Sequence, residues 1–223
     1  MIEDIDELKS EGIWNNDWDA SLELLKRYSQ KKHLSIHLPK RKDLIEIFSN
    51  YYFGGNPQGD NQEWSGFIKD EPLLVNKQFF DELSKEGICW GFVSGAESPS
   101  AKFVLQNRLH LTSPPLITME DAPEKPNPIG FIKLASQLAK QPLGPELPPI
   151  GYLGDTVADV LTVKYAKQAI PNQKFISFGI APPHLHEPSK AKSRLIYENK
   201  LLEAGADKIL SSTYEAINQV LKW

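Results

Sequence analysis

Two aspartates four residues apart, Asp155 and Asp159, stand where an apolar run ends in the stretch PIGYLGDTVADVLTV (149–163). Ile150, Tyr152 and Leu153 are bounded by Pro-Pro and by Gly, the pattern of a short buried strand. Val157, Val160, Leu161 and Val163 then keep helical spacing, which predicts a helix over 156–169. One carboxylate is thus expected at the carboxyl end of a strand and the other one turn into the next helix, on the same side. Like charges this close repel unless a cation lies between them, and hard oxygen donors suit magnesium. A plain strand-to-helix turn with a solvated Asp and a helix cap is the alternative reading. Ser94-Gly95 ends an earlier apolar run and offers a hydroxyl and free N–H groups at a helix start, a ready anion site. Lys125 lies between Pro123 and Pro126 in EDAPEKPNP, which could hold its ammonium inward. A hydroxyl, a cation and a carboxylate pair together suit a phosphate bound beside magnesium.

The elements that must position these groups alternate from residue 71 onward. Helices are predicted over 73–86, 100–109, 130–140, 156–169 and 190–204, and a last one at the C-terminus. Strands are predicted over 88–93, 116–119, 150–154, 174–180 and 208–210. Such alternation implies an α/β fold with a mainly parallel sheet, covered on both faces and with ligands beyond the carboxyl ends of the strands. Residues 1–53 read as helical throughout, with one helix stopped by Gly12, a second opened by Asp17 as its cap and a third starting at Pro39. Their aromatic residues, Trp18, Tyr28, Phe48 and Tyr51 among them, read as core stripes. The Gly- and Asn-rich stretch 54–70 reads as a boundary. The domains are then a helical cap and linker over 1–70 and a Rossmann-like core over 71–223. The connection at 12–17 carries Trp14, Asn15 and Asn16 and reads as a face presented to substrate.

Bulk properties bound the function classes. A net charge of −4 and a pI near 5.8 give no electrostatic case for nucleic acid or an anionic membrane. Cys89, the one cysteine of 223 residues, lies in an apolar run and reads as a small hydrophobe in a reducing compartment. No uncharged run approaches the roughly 20 residues of a membrane span. The acidic start MIEDIDELKS lacks a signal segment, so a cytoplasmic location is expected. His184 and His186 in PPHLHEP read as a surface loop. Oligomeric state is not legible here.

Taken in order, the motifs resemble those of the haloacid dehalogenase-like (HAD) hydrolases, particularly the phosphatases with a helical cap. GFVSGA with Ser94 matches their second motif, EKPNP with Lys125 their third and GYLGDTVADV their fourth. The resemblance implies that Ser94 and Gly95 bind phosphoryl oxygens and that Lys125 neutralises their charge. It implies that Asp155 binds Mg2+ and that Asp159 supports it, the substrate being a small phosphomonoester. The family's first motif, a strand ending in DxDG[TV] that supplies the aspartate nucleophile, is not matched. Asp4-Ile5-Asp6 has no strand before it and reads as the cap of the first helix. The chain is therefore expected to be N-terminally truncated by ~35–40 residues, the length of a strand, turn and linking helix. A gap or displaced segment should lie between the strands ending at Ser94 and Asp155, where the central strand is missing. The intact enzyme would work through an aspartyl-phosphate, and the chain as written would be inactive. The alternative is a degenerate, non-catalytic module that binds a phosphorylated ligand or a partner.

Overall fold

Residues 2–223 are described by a computed structural model. The first three helices are α1 (Ile2–Lys9), α2 (Asp17–Lys31) and α3 (Arg41–Tyr52). No strand occurs among residues 2–70, as the helical spacing predicts. The cap of α2 is Asn16, whose Oδ1 accepts the Trp18 and Asp19 amides, and Asp17 is already helical. The aromatic stripes are only partly core. Trp18 meets Phe48 edge-on and lies under the Arg41 guanidinium, but Tyr28 and Tyr51 are exposed. This region is a thin helical layer with few partners, so half of each stripe faces solvent.

The stretch 54–70 is more ordered than a linker. Trp64 and Ile68 are buried with Phe53 and Phe103, and the Trp64 indole donates to the Asn56 carbonyl at 2.9 Å. From there the chain alternates. It forms α4 (Lys77–Lys85), β1 (Phe92–Val93), α5 (Ser98–Lys102), β2 (Leu116–Ile117) and α6 (Ile129–Ala139). Next come β3 (Ile150–Gly154), α7 (Val157–Ala169), β4 (Phe175–Ile180), α8 (Ala191–Ala204), β5 (Lys208–Leu210) and α9 (Glu215–Val220). The expected helix at 100–109 is α5 continued by a π-turn, Phe103–Arg108.

All strand pairs are parallel, but they fall into two separate ladders, β1 with β2, and β3, β4 and β5 in that order. Apolar strand faces bury on both sides, as a parallel sheet requires. Phe131 of α6 and Val163 and Ala166 of α7 cover Val93, Ile150, Tyr152 and Phe175 on one side. On the other, Phe80 of α4 and Leu105 and Leu109 pack with Phe92 and Leu116. The C-terminal Trp223 stacks on Phe178 over Gly151. Strand β1 is shorter than predicted. Residues 88–90 run up to the ladder without joining it, with Ile88 and Trp90 turned inward. Alternation therefore turns Cys89 outward, and it is exposed rather than a core hydrophobe. Among the described residues no helix is long and apolar enough to cross a membrane.

The inner edges of the two ladders are unpaired. The Phe92 and Ser94 amides bond to the Pro115 and Ile117 carbonyls of the β2 side, so Val93 turns its own N–H and C=O the other way. The Ile150 amide bonds to the Lys174 carbonyl on the β4 side, which leaves Gly151 and Leu153 facing away from β4. No described backbone hydrogen bond joins β1 to β3. Strands β1 and β3 thus belong to separate ladders.

Candidate active site

The residues singled out by type gather at the carboxyl ends of the strands. Gly154 ends β3, and Thr156 then caps α7 in a reciprocal box. Its Oγ1 donates to Asp159 Oδ2 at 2.7 Å, its amide donates to the same oxygen at 3.1 Å, and the Asp159 amide returns to Thr156 Oγ1 at 3.2 Å. The local T-x-x-D sequence is enough to explain this turn. The other oxygen, Oδ1, receives the Lys125 ammonium at 2.7 Å and the Tyr152 hydroxyl at 3.1 Å. Asp159 is fully enclosed, and burial alone would raise its pKa. The Lys125 charge and the Lys125 and Thr156 hydrogen bonds outweigh that and hold it below the usual carboxylate range.

Asp155 is placed differently. Its tip keeps solvent access, yet the protein walls around it, and after them the Asp159 charge, push its carboxyl above the usual range. Lys125 and Lys9 oppose that rise. Its carbonyl accepts the Tyr197 hydroxyl at 2.9 Å, which ties the strand end to α8. Tyr152 is itself buried, and that burial together with Asp159 raises its pKa, so its proton stays on oxygen at neutral pH.

Ser94, Gly95 and Lys125 line one narrow cleft together with Thr118 and Asn127. Ser94 Oγ accepts the Ala96 amide at 3.1 Å. Among the described residues that leaves the Ser94 hydroxyl proton and the Gly95 amide without a protein partner. A hydroxyl, an N–H and an ammonium therefore line the same cleft, donors of the kind that anions take.

The three residues proposed from the 12–17 connection separate. Trp14 turns its indole onto Glu11 at 2.8 Å, beside the Arg27–Glu11 ion pair. Asn16 is buried and occupied, capping α2 and donating through Nδ2 to Glu124 Oε1 at 2.9 Å. Asn15 alone lies beside a residue of the cleft: a side chain at Gly95 would begin 2.8 Å from its Nδ2. Asp6, read as a helix cap, lies inside α1 and pairs with His184 at 3.0 Å. His186 bonds to the Ala181 carbonyl at 2.8 Å, so both histidines serve the loop after β4. Sequence reasoning missed Tyr152 and Thr156 as partners of Asp159. The capping box was legible for Thr156, whereas a tyrosine on a strand carries no sign of which helix its hydroxyl reaches.

Only one of the two aspartates is free to meet a magnesium ion. Both Asp159 oxygens are taken by Lys125, Tyr152 and Thr156, which leaves Asp155 as the one open carboxylate of the pair. No group of three or more His, Cys, Asp or Glu side chains that could hold a metal occurs among the described residues. Magnesium is held by one or two carboxylates with waters and a substrate phosphate, and of this pair Asp155 alone is open to it.

No protein-family model matches the chain, and no curated protein matches it. Among solved structures the chain is similar to a phosphonoacetaldehyde hydrolase-like protein from Oleispira antarctica, with 15% identity and a TM-score of 0.64. The match covers 97% of this chain and 79% of that one. At this identity the likeness establishes the fold, a Rossmann-like α/β core with helical parts, and not the chemistry.

Proposed function

We propose that this chain is the phosphate-handling core of a HAD-type hydrolase of small phosphomonoesters. In this reading one further strand, from a segment outside these 223 residues, seats between β1 and β3. It brings the nucleophilic aspartate to the ends of both ladders. The observation that carries the reading is the coincidence of two features. Strands β1 and β3 are unpaired edges of separate ladders whose side chains Val93, Ile150 and Tyr152 pack on one apolar cluster, and they lead into Ser94 and Asp155.

Ser94 donates its hydroxyl proton, and Gly95 its amide, to phosphoryl oxygens. Lys125, held in place by Asp159, sets a positive charge beside them, so charge developing on the transferred group meets donors that are already oriented. Asp155, with its raised pKa, is the remaining acid at the mouth. Asn15 belongs to the substrate side of the mouth. Magnesium enters this reading only with the carboxylates such a strand would add. A covalent aspartyl-phosphate would likewise need its nucleophile. The non-catalytic alternative, a module binding a phosphorylated ligand, draws support from the Lys125–Asp159 pair, which is satisfied without any further carboxylate.

The test is titration with inorganic phosphate, followed by calorimetry. The unaltered chain should bind it. Lys125→Ala should weaken binding at least about tenfold, as expected on losing a charge-assisted hydrogen bond, and Ser94→Ala somewhat less. Equal binding by all three proteins would remove the site assignment.

A further inference from the structure

The anion cleft is not made by the core alone. Asn15 is half-buried, and among the described residues its carboxamide has no hydrogen-bond partner, although its backbone carbonyl accepts Lys9 at 3.4 Å. It is the amide nitrogen, not the oxygen, that lies nearest Gly95. The distances from the position of a Gly95 Cβ are 2.8 Å to Nδ2 and 3.8 Å to Oδ1. A free donor is therefore aimed at the turn that already offers the Ser94 hydroxyl and the Gly95 amide. The neighbouring residue explains why it stays there. Asn16 is 5% exposed and bonds to Glu124, next in sequence to Lys125. Gly12, at the other end of the turn, lies against Val157 and Leu161 of α7.

We infer that the anion site is composite. Asn15 of the N-terminal helical region is a fourth anion donor beside Ser94, Gly95 and Lys125, and the Asn16–Glu124 hydrogen bond is the latch that seats it. The inference rests on the phosphate reading of the cleft. Because the site exists in full only when residues 12–16 are docked, anion binding and docking favour each other, and whatever loosens one weakens the other. The ligand class follows from the donors. All four are hydrogen-bond donors, so the site suits a dianionic tetrahedral group and disfavours a neutral one.

The two asparagines can be separated by substitution. Asn15→Ala removes the donor, and Asn15→Asp replaces it with a charge that repels the anion. Asn16→Asp keeps the α2 cap, because Asp caps as well as Asn, but sets a carboxylate against Glu124. Glu124→Gln in that background restores a donor–acceptor pair. Inorganic phosphate affinity is read by calorimetry, and docking by hydrogen exchange at residues 12–16. Asn15→Ala should weaken phosphate binding at least about tenfold, the size of one hydrogen bond to a charged group. Asn15→Asp should weaken it more. Asn16→Asp should expose 12–16 to exchange and weaken binding by a similar factor, with Asn16→Asp/Glu124→Gln recovering most of both. Undiminished affinity in Asn15→Ala and Asn16→Asp, with Lys125→Ala still defective, would overturn the composite site and leave the core reading standing. No phosphate binding by the unaltered chain would overturn both.

Discussion

At the scale of single residues, the two aspartates of the site carry opposite energetic signs. Asp159 is a buried charge with four hydrogen-bond contacts, and removing one partner of a buried ion pair leaves an uncompensated charge. Asp159→Asn should therefore lower stability by about 3–5 kcal/mol in urea denaturation. Asp155 is held above the usual carboxylate range by its surroundings and by Asp159. Its ionised form therefore costs folding free energy at neutral pH, because the unfolded chain gives up the proton more readily than the folded one. Asp155→Asn should raise the denaturation midpoint at pH 7. The gain should shrink as pH falls through the raised pKa, where the native chain carries a neutral acid anyway. A destabilised Asp155→Asn would contradict the placement of that group. The sequence puts both carboxylates at one strand end, and the charge of Asp159 is felt at Asp155. It could not divide their roles, because that depends on Tyr152 and Lys125, which lie on other elements and reach Asp159 through the fold.

At the scale of elements, helix and strand order from residue 71 was legible because apolar spacing and turn residues agree there. Strand length was not. Strands β1 and β2 are two residues each, since an apolar run pairs only as far as its neighbour does. The stretch 54–70 reads as a boundary from its Gly and Asn content, while its order comes from contacts made at a distance. Trp64 packs between Phe53 and Phe103, with ring centroids 4.7 and 5.0 Å away. Trp64→Ala should cost about 3–5 kcal/mol. Gly66 approaches the backbone so closely that an added Cβ would lie 2.4 Å from the Tyr52 carbonyl oxygen. Gly66→Ala should therefore disrupt this segment, whereas Gly144→Ala, with nothing within 4 Å of the new carbon, should leave the melting temperature nearly unchanged.

At the scale of the whole molecule, the sheet is divided at the place where its chemistry converges. Two ladder edges without hydrogen-bond partners among the described residues invite pairing with other chains, so the chain alone should associate as its concentration rises. A seated strand would satisfy both edges and bury apolar side chains, at roughly 1.5–3 kcal/mol each. Joining an apolar run of about five residues, a usual strand length, that ends in Asp-x-Asp-Gly to the N-terminus through a flexible linker should raise the denaturation midpoint and suppress association. The same protein supplies the most direct test of the account, which is hydrolysis of p-nitrophenyl phosphate in the presence of magnesium. The chain alone should show no turnover, and the joined chain should show turnover that Lys125→Ala abolishes. Turnover by the chain alone at a rate matching the joined chain would contradict the account, because a nucleophile would then already lie within residues 2–223.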